Sequence, residues 1–342
     1  MNISINGFGR IGRCFLRQAI SNQNFKILAI NDLANLDNLI YLLKHDTIYG
    51  WFNFQIQKND EIKEFKRCKS IGNLIINNQT IYIFNEKDPL NLPWDELIID
   101  TVVESTGVFE NYIDAKKHID VGSKKVVITA PGKGNENIDG KTVLIGINYQ
   151  EFNNFNVISN GSCTTNAVAP VIQILNQNIG IEKAILNTIH AYTNTQTIVD
   201  TSAKGDFLRG RAGAQNIIPS TTGAATTVTK VIKELENKFD GIAIRVPVIC
   251  GSLADITFIS KKPITKEEIN NVLINASNQP EWKNILGISS EPLVSSDIIR
   301  TSLPAIVDLS FTKVVDNTLV KVLVWYDNEW AYTATLINQL SK

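Results

Sequence analysis

The sequence predicts an α/β protein in which a domain built on a parallel sheet is followed by an α+β domain with a mainly antiparallel sheet. Three observations lead to this prediction. The chain has 342 residues, more than a single compact core usually holds. A glycine-rich turn joins its first apolar run to its first helical pattern. Beyond residue 150, strand-like runs follow one another with few helices between them.

The first element is an apolar run at residues 3–6 that leads directly into the sequence GFGRIG at 7–12. A helical pattern follows, and a second apolar run at 25–30 ends shortly before Asp32. In such a βαβ unit the glycines permit a tight turn, the approach of a pyrophosphate and the packing of helix on strand. The helix N-terminus binds the phosphates, and the acidic residue accepts hydrogen bonds from a ribose. We therefore predict a Rossmann-type dinucleotide-binding domain; a glycine-rich turn without a ligand is the alternative.

Further apolar, β-branched runs at 97–104, 124–129 and 143–147 indicate more parallel strands. Runs of this kind that end in small polar residues suit strands whose carboxyl ends face a ligand. Residues 51–85 contain shorter runs, which predict hairpin-like strands inserted in the same sheet.

Cys163 lies in the polar sequence SNGSCTTN, directly before an apolar-periodic segment at 167–175. That segment predicts a helix whose first turn is capped by Ser162, Thr164 or Thr165. A sulfur at this end faces unpaired backbone N–H groups and the positive end of the helix dipole, and both favour the thiolate. Cys163 is therefore a candidate nucleophile; a buried, unreactive cysteine is the alternative.

A predicted strand at 184–192 carries His190 on the same face as Leu186 and Thr188. A hydrogen-bonded sheet histidine is the alternative to a catalytic role. A long polar segment follows at 193–215, and connections of this length are usually functional or lie in an interface.

The rest of the second half predicts one further helix, an antiparallel sheet and a helical tail. The predicted elements are a helix at 224–235, strands at 241–246, 253–260, 305–312 and 318–326, and a C-terminal helix at 328–340.

The composition excludes several classes of partner. The formal net charge is −1 and no stretch approaches 18 apolar residues, so neither a nucleic acid nor a membrane is expected as a partner. The four cysteines are widely spaced, with no histidine at metal-ligand spacing, so no metal site is expected. The N-terminus carries no charged leader or apolar segment, and we expect a cytoplasmic protein.

Six segments of the chain occur in the order found in one enzyme family. They are INGFGRIGR (5–13), SNGSCTTN (159–166), HAYTNTQ (190–196), NIIPSTTGAA (216–225), RVP (245–247) and WYDNEW (325–330). They span nearly the whole chain, which therefore resembles the phosphorylating glyceraldehyde-3-phosphate dehydrogenases. The resemblance implies an NAD-binding domain at 1–156, on which a helix at 327–342 docks, and a catalytic domain at 157–326.

The resemblance also implies a reaction. Cys163 attacks the aldehyde of D-glyceraldehyde 3-phosphate to give a thiohemiacetal, with His190 as general base. Hydride leaves to the nicotinamide, and inorganic phosphate releases the resulting thioester as 1,3-bisphosphoglycerate. A thiolate and an imidazolium stabilise each other, so we expect the pair to lower the pKa of the cysteine.

The positions that match the family's binding sites fall into three groups. Those of the cofactor site are Gly7, Gly9, Arg10, Ile11, Gly12, Asp32, Leu33, Lys87, Thr129, Asn194 and Asn328. Those of the substrate-phosphate site are Thr193, Thr195 and Arg245. Those of the attacking-phosphate site are Ser162, Thr164, Thr222, Gly223 and one arginine of the long loop, Arg209 or alternatively Arg211.

The choice of cofactor rests on two features that point in different directions. Asp32 followed by Leu33 resembles NAD-specific members, because a carboxylate repels a 2′-phosphate. The hydroxyl pair Thr201 and Ser202 resembles members that accept NADP. Since repulsion between close charges outweighs two neutral hydrogen bonds, we predict that NAD is preferred and that NADP is used measurably.

Two alternative functions stay open at this point. The chain could be an erythrose-4-phosphate dehydrogenase, in which water takes the acyl group, or a non-catalytic NAD-binding scaffold. The family resemblance further implies a homotetramer built around residues 193–215 and a role in glycolysis, in either direction.

Overall fold

The computed structural model describes residues 1–203 and 206–342. Within them the chain divides into two compact units. The first unit consists of Met1–Val143, Asn148–Gly161 and Leu336–Lys342, and the second of Leu144–Ile147 and Ser162–Thr335. The domain bounds predicted from the sequence, 1–156 with 327–342 and 157–326, stay a prediction.

The first unit is an α/β layer structure around a central mixed sheet. Its strands are β1 (Asn2–Asn6), β2 (Lys26–Asn31), β3 (His45–Asp46), β4 (Gly50–Trp51), β5 (Ile56–Asn59), β6 (Gly72–Ile76), β7 (Gln79–Phe84), β8 (Thr101–Glu104), β9 (Lys125–Ile128), β10 (Lys141–Thr142) and β11 (Val157–Ser159). Its α-helices are α1 (Arg10–Ala19), α2 (Leu36–Lys44), α3 (Tyr112–Ala115) and α4 (Lys117–Asp120), with 3₁₀ turns at Pro89–Asn91 and Tyr149–Asn154.

The main sheet of the first unit has the order β10-β11-β9-β8-β1-β2-β7-β6-β5 in the described residues. It is parallel from β10 to β7, and β6 and β5 complete it in antiparallel fashion. The register aligns the last residues of three neighbouring strands, Asn6, Asn31 and Glu104. The prediction of a Rossmann-type domain is confirmed, and its strand ends meet at one edge of the sheet.

Two strand predictions in this unit were wrong in their bounds. Residues 97–100 form a turn in which Ile98 has a positive φ of 52°, and β8 begins only at Thr101. In the run at 143–147, residues 143–145 are buried but no residue belongs to a strand, and the strand of this region is β10. In both places an apolar, β-branched composition reflects burial rather than a strand backbone.

The second unit is an α+β structure with one large sheet. Its strands are β12 (Ile181–Ala191), β13 (Ile218–Thr221), β14 (Phe239–Val246), β15 (Ser252–Ser260), β16 (Leu286–Ser289), β17 (Ala305–Val315) and β18 (Leu319–Tyr326). Its α-helices are α5 (Cys163–Asn178), α6 (Ala224–Val231) and α7 (Lys266–Ser277); α8 (Trp330–Ser341) begins here and ends in the first unit. Its 3₁₀ turns are Leu208–Gly210, Lys233–Leu235, Pro280–Trp282 and Ser295–Ile298.

The sheet of the second unit has the order β13-β14-β12-β15-β18-β17-β16 in the part of the chain that the structure describes. Neighbouring strands are antiparallel except for β14 with β12 and β16 with β17, which are parallel. The prediction of a mainly antiparallel sheet is confirmed. The long central strand β12 alternates strictly in burial near its end, so that Leu186, Thr188 and His190 share its buried face.

The helices of the second unit differ from the sequence prediction in three places. The predicted helix at 224–235 ends at Val231, because the next residue leaves the helical conformation (φ −116°, ψ 80°). The predicted C-terminal helix begins at Trp330 rather than at 328. Helix α7 was missed, although Thr265 and Glu268 form a reciprocal capping box at its start, which is a recognisable sequence signature.

None of the helices within residues 1–203 and 206–342 combines the length and the apolar character that a membrane span requires.

Candidate active site

A cavity of about 800 Å³ opens at the carboxyl edge of the parallel sheet in the first unit. Volumes of this size are typical of cofactor sites. Its lining residues come from strand ends and the loops that follow them: Asn6, Gly7, Gly9, Asn31, Asp32, Leu33, Glu86, Lys87, Asp88, Asn91, Ser105, Thr106, Val108, Phe109 and Lys117.

At each of the three glycines between β1 and the first turn of α1, a side chain would have a different consequence. Gly7 has a φ of +90°, which favours glycine, and a side chain there would meet the backbone of Thr106. A Cβ on Gly12 would lie 2.2 Å from the carbonyl oxygen of Gly7, so only glycine lets α1 approach β1. A Cβ on Gly9 would meet nothing within 4 Å, so the space beside this residue is open to a ligand.

Asp32 follows β2 and lies at the rim of the cavity. Its carboxylate accepts hydrogen bonds from the backbone N–H of Phe8 (2.7 Å) and from that of Ala34 (2.8 Å). The carboxylate is therefore fixed in orientation by the glycine-rich turn itself. Leu33 beside it is 58% exposed and presents an apolar surface to the same cavity.

The predicted cofactor residues of the first unit do not all line the cavity. Gly7, Gly9, Asp32, Leu33 and Lys87 do. The other four are found elsewhere in the unit. Gly12 and Ile11 lie in α1, Arg10 forms an ion pair with Asp46 (2.5 Å), and Thr129 follows β9 with its backbone N–H bonded to Glu104.

Sequence reasoning missed several cavity residues, notably Asn6, Asn31, Ser105 and Thr106. All four stand at or directly after the carboxyl end of a parallel strand. The signal was therefore present, since ligands of such sheets bind at that edge. Asn31 donates through its side-chain amide to the Asn6 side chain (2.7 Å), so the cavity floor is a hydrogen-bonded pair.

In the second unit Cys163 is the first residue of α5. Ser162 caps the helix, because its Oγ accepts a hydrogen bond from the backbone N–H of Thr165 (3.0 Å). The capping residue was one of the three candidates that the sequence offered. The half-buried sulfur of Cys163 lies 3.5 Å from Nε2 of His190, close enough for proton transfer between the two groups.

His190 is held by its own strand and by the neighbouring strand β14. Its Nδ1 lies 2.7 Å from the carbonyl oxygen of Ala191 and 2.6 Å from Nη1 of Arg245. Arg245 is the direct register partner of His190 across the parallel strands β12 and β14. This contact between the predicted general base and a predicted phosphate ligand is not visible in the sequence, where the two residues are 55 positions apart.

Tyr326 links helix α5, which carries Cys163, to strand β12, which carries His190. Its buried hydroxyl lies 2.8 Å from Oγ1 of Thr164 in α5 and 2.8 Å from Oγ1 of Thr188 in β12. Its ring packs edge-on against His190, with 6.0 Å between the ring centroids. Burial, with the neighbouring Cys163 charge, raises the pKa of Tyr326 well above its usual range, so the phenol stays protonated.

Burial also shifts the pKa values of Cys163 and His190. Burial raises the pKa of the Cys163 thiol, while the Arg245 charge and hydrogen bonds at Thr164 act in the opposite direction. Burial and then the Arg245 charge lower the pKa of His190 to about 3. The expected lowering of the cysteine pKa is thus opposed by desolvation.

The predicted phosphate ligands cluster around the ends of β12, β13 and β14. Thr193 and Thr195 follow β12 in a turn, with 3.0 Å between their hydroxyl oxygens. Thr222 and Gly223 precede α6, and the Thr222 hydroxyl accepts a hydrogen bond from the backbone N–H of Ala224 (3.2 Å). A Cβ on Gly223 would meet nothing within 4 Å, so this helix start is open.

The two candidate loop arginines are placed differently. Arg209 is half-buried, donates to Oγ of Ser220 on β13 (2.7 Å) and forms an ion pair with Asp206 (2.9 Å). Burial is the larger cause of the lowered pKa of Arg245, and the nearby charge of Arg209 lowers it further. Arg211 is exposed and forms an ion pair with Asp200 (2.8 Å). The loop residue Lys204 lies outside the described residues.

Asn328 is a buried residue between β18 and α8. Its Oδ1 accepts hydrogen bonds from Ser252 Oγ (3.0 Å) and from the backbone N–H of Gly251 (3.2 Å). The same Ser252 hydroxyl accepts from the backbone N–H of Ala191 (3.1 Å), next to His190. With its oxygen held by two donors, Asn328 presents its amide nitrogen as a donor. Asn194, by contrast, lies in an exposed turn.

Comparison with known proteins gives a consistent result. Residues 1–112 match the family model of the glyceraldehyde 3-phosphate dehydrogenase NAD binding domain, and residues 162–328 match that of the C-terminal domain. The chain is 42% identical to glyceraldehyde-3-phosphate dehydrogenase of Borreliella burgdorferi, over 100% of this chain and 99% of the relative. It is 43% identical to that of Clostridium pasteurianum (99% and 97%) and 41% identical to that of Geobacillus stearothermophilus (99% and 96%).

The glycine geometry predicts that two alanine substitutions affect different properties, one the stability of the protein and the other its binding of NAD. Gly12→Ala places a Cβ 2.2 Å from the carbonyl oxygen of Gly7. Because this overpacks the contact between α1 and β1, we expect the free energy of unfolding to fall by about 1–3 kcal/mol and the thermal midpoint to fall with it. Gly9→Ala meets no atom within 4 Å, so we expect near wild-type stability but weaker NAD binding. Calorimetry measures the stability of each variant and NAD titration measures its affinity for the cofactor. A Gly12→Ala protein as stable as wild type would contradict the packing argument.

The Asn328 geometry predicts a role for Ser252 in holding the amide. Ser252→Ala removes one of the two donors to Oδ1, so we expect the KM for NAD to rise by about 3–10-fold, the equivalent of roughly 1 kcal/mol. Ser260→Ala is the matched control, because the hydroxyl of this buried serine, at the other end of the same strand, donates to the carbonyls of Lys262 and Thr318. If the two substitutions changed the KM for NAD equally, Ser252 would contribute to stability only and would not orient Asn328.

Proposed function

The chain belongs to the glyceraldehyde-3-phosphate dehydrogenase family, and we propose that it oxidises D-glyceraldehyde 3-phosphate to 1,3-bisphosphoglycerate through a thioester on Cys163. The single observation that carries this proposal is the placement of the sulfur at the start of α5, 3.5 Å from His190. A nucleophile and a base at this distance form the minimal unit for covalent attack on a carbonyl.

In the first half of the reaction Cys163 adds to the aldehyde carbon and its proton passes to Nε2 of His190. NAD bound to the first unit would supply the hydride acceptor with which the adduct on Cys163 becomes an acyl thioester. The glycine-rich turn, with its open space at Gly9, is suited to the pyrophosphate of this cofactor, and Asp32 to its ribose. Both features support NAD as the cofactor.

In the second half an oxygen of inorganic phosphate attacks the thioester carbon, and the carbon–sulfur bond breaks to release the acyl phosphate and Cys163. Arg245, Thr193 and Thr195 are assigned to the phosphate of the substrate. Arg245 pairs with His190 near the end of β12, and the two threonines follow that strand, which supports the assignment. The attacking phosphate is assigned to the helix starts at Ser162, Thr164, Thr222 and Gly223, and to Arg209. Backbone N–H groups and a guanidinium are the donors that such an anion requires.

Residues 1–156 with 327–342 are assigned to NAD binding, and 157–326 to catalysis. The grouping of Leu336–Lys342 with the first unit supports the docking of the last helix. We further assign the protein to the cytoplasm and to a homotetramer formed around residues 193–215. Exposed apolar side chains in the described part of that segment, Ile198, Val199 and Phe207 at 86%, 70% and 89%, support a buried interface there.

The reaction is tested by NAD reduction with and without inorganic phosphate, in wild type and in Cys163→Ser. We expect strict phosphate dependence, faster turnover with NAD than with NADP, and a loss of about 10³-fold or more in the variant with NAD affinity retained. Turnover that proceeds to the free acid without phosphate would favour the erythrose-4-phosphate reaction. Absence of turnover in a wild-type protein that binds NAD would favour the scaffold.

The assignment of the attacking phosphate is tested by a pair of loop variants. Arg209→Leu removes a half-buried guanidinium close to Arg245, and we expect the KM for phosphate to rise by about 10–100-fold, the value of a charge-assisted hydrogen bond. Arg211→Leu is the control, since its guanidinium is exposed and paired with Asp200. A larger effect in Arg211→Leu would reverse the assignment.

A further inference from the structure

A chain of buried hydrogen bonds runs from the nucleotide cavity into the core of the first unit. At the cavity end, Oδ1 of Asn31 accepts the backbone N–H of Glu86 (2.8 Å), and its amide donates to the Glu86 carbonyl (2.9 Å). These backbone groups fix which way the Asn31 amide points, because an N–H only donates and a carbonyl only accepts. Asn31 therefore donates to Oδ1 of Asn6 (2.7 Å), and the Asn6 amide in turn donates to Oε2 of Glu104 (2.5 Å).

The other end of the chain is fixed by an indole. Nε1 of Trp94 lies 2.9 Å from Nδ1 of the buried His118 ring. An indole N–H is a donor only, so Nδ1 is an acceptor and the proton of the imidazole is on Nε2. That nitrogen lies 3.1 Å from Oε2 of Glu104 and donates to it. It also lies 3.4 Å from the Asn6 amide nitrogen, but two donors do not bond to each other.

Both ends of the chain therefore point at one carboxylate. Oε2 of Glu104 accepts from Asn6 and His118, and Oε1 accepts from the backbone N–H (2.9 Å) and the hydroxyl (2.5 Å) of Thr106. Glu104 is 2% exposed, and within residues 1–203 and 206–342 no lysine or arginine forms an ion pair with it. Four hydrogen bonds take the place of a cation, and a fully satisfied network of this kind holds its members in one arrangement.

This network shapes the wall of the nucleotide cavity. Four of its members line the cavity: Asn6, Asn31, Glu86 and Thr106. Because the Asn31 amide holds the Glu86 backbone on both sides, it fixes the segment that brings Lys87 to the same wall. Phe109, which also lines the cavity, packs edge-on against the His118 ring, with 6.3 Å between the ring centroids. The position of these groups therefore depends on buried residues behind them.

We propose that Glu104 and His118 are positioning residues for the cofactor. The carboxylate is the common acceptor that holds the cavity wall in its binding arrangement, and Nε2–H of His118 holds the carboxylate. Both side chains are buried, so they act on a ligand through the residues that line the cavity and take no part in proton transfer to a substrate. The inference rests on the assignment of this cavity to NAD under the proposed function. Loss of either residue should lower the affinity for NAD and leave the chemistry at Cys163 unchanged.

The first test compares two carboxylates of the same unit that each accept several hydrogen bonds. Glu104→Gln keeps the shape of the side chain but turns one acceptor into a donor that faces other donors. We therefore expect the dissociation constant of NAD to rise by about 10-fold or more, the loss typical of a hydrogen bond to a charged group. The value of kcat at saturating NAD should stay within about 2-fold of wild type.

Glu136→Gln is the matched control. The Glu136 carboxylate accepts hydrogen bonds from the Tyr112 hydroxyl (2.6 Å) and from the hydroxyl (2.7 Å) and backbone N–H (2.9 Å) of Thr142. It is not among the described residues that line the cavity. We expect this variant to have a lower thermal midpoint but wild-type affinity for NAD, both measured by calorimetry. An equal change of NAD affinity in the two variants, or none in Glu104→Gln, would overturn the proposal.

His118 is tested with two replacements of different chemistry. His118→Phe keeps a ring but loses the donor to Glu104, so we expect NAD to bind about 10-fold more weakly. His118→Gln keeps an N–H for the carboxylate and should retain most of the affinity. Equal affinities in the two variants would leave His118 a packing role only and contradict the proposal.

A measurement on the wild-type protein decides if a His118 variant does not fold. Nitrogen-15 NMR of the full-length chain labelled at histidine reports the tautomer of each of its three imidazoles. Contact with the Trp94 indole hydrogen identifies the His118 signal. We expect that ring to carry its proton on Nε2. A proton on Nδ1 would remove the donor to Glu104 and overturn the proposal.

The outcomes separate this proposal from the proposed function. If wild type oxidises the aldehyde while Glu104→Gln and Glu136→Gln bind NAD equally well, the positioning role alone is refuted. If Glu104→Gln selectively loses NAD affinity in a protein that does not oxidise the aldehyde, the reaction is refuted and the positioning role stands. A wild-type protein that does not bind NAD would refute both.

Discussion

The arrangement of Cys163 and His190 depends on one buried hydroxyl. Tyr326, at the end of β18, bonds to a threonine of α5 and to a threonine of β12, and so fixes the helix that carries Cys163 to the strand that carries His190. Neither element determines the distance between sulfur and imidazole by itself. Because the phenol is fully buried and kept protonated, breaking either bond would leave a polar group unsatisfied in the core, at a cost of about 1–3 kcal/mol.

The same packing explains the electrostatics of the site. Elements tight enough to hold the pair at 3.5 Å also exclude the water that would stabilise its charged form. Arg245 adds a positive charge that favours a thiolate but disfavours an imidazolium. Burial therefore opposes ionisation of both groups, whereas the Arg245 charge opposes it only at the histidine.

The sequence predicted the fold correctly where a local sequence signal and burial in the folded protein point to the same element. The turn at residues 7–12, the helix after Cys163 and the alternation that ends at His190 were all visible, because each combines a local signal with burial. The runs at 97–100 and 143–147 misled the prediction, since burial alone selects apolar residues whatever the backbone conformation. The contact of Arg245 with His190 depends on the register of β14 beside β12, and no local pattern encodes register between distant strands.

The nucleotide cavity shows how one residue serves both structure and selectivity. The Asp32 carboxylate accepts the N–H of Phe8, so it closes the glycine-rich turn as well as facing the cavity. A shift of this side chain to admit a 2′-phosphate would break that bond and disturb the glycine-rich turn. The predicted preference for NAD would therefore have two sources, the repulsion between like charges and the rigidity of the carboxylate. The second source persists at high ionic strength, because salt screens the charge but does not release the hydrogen bond.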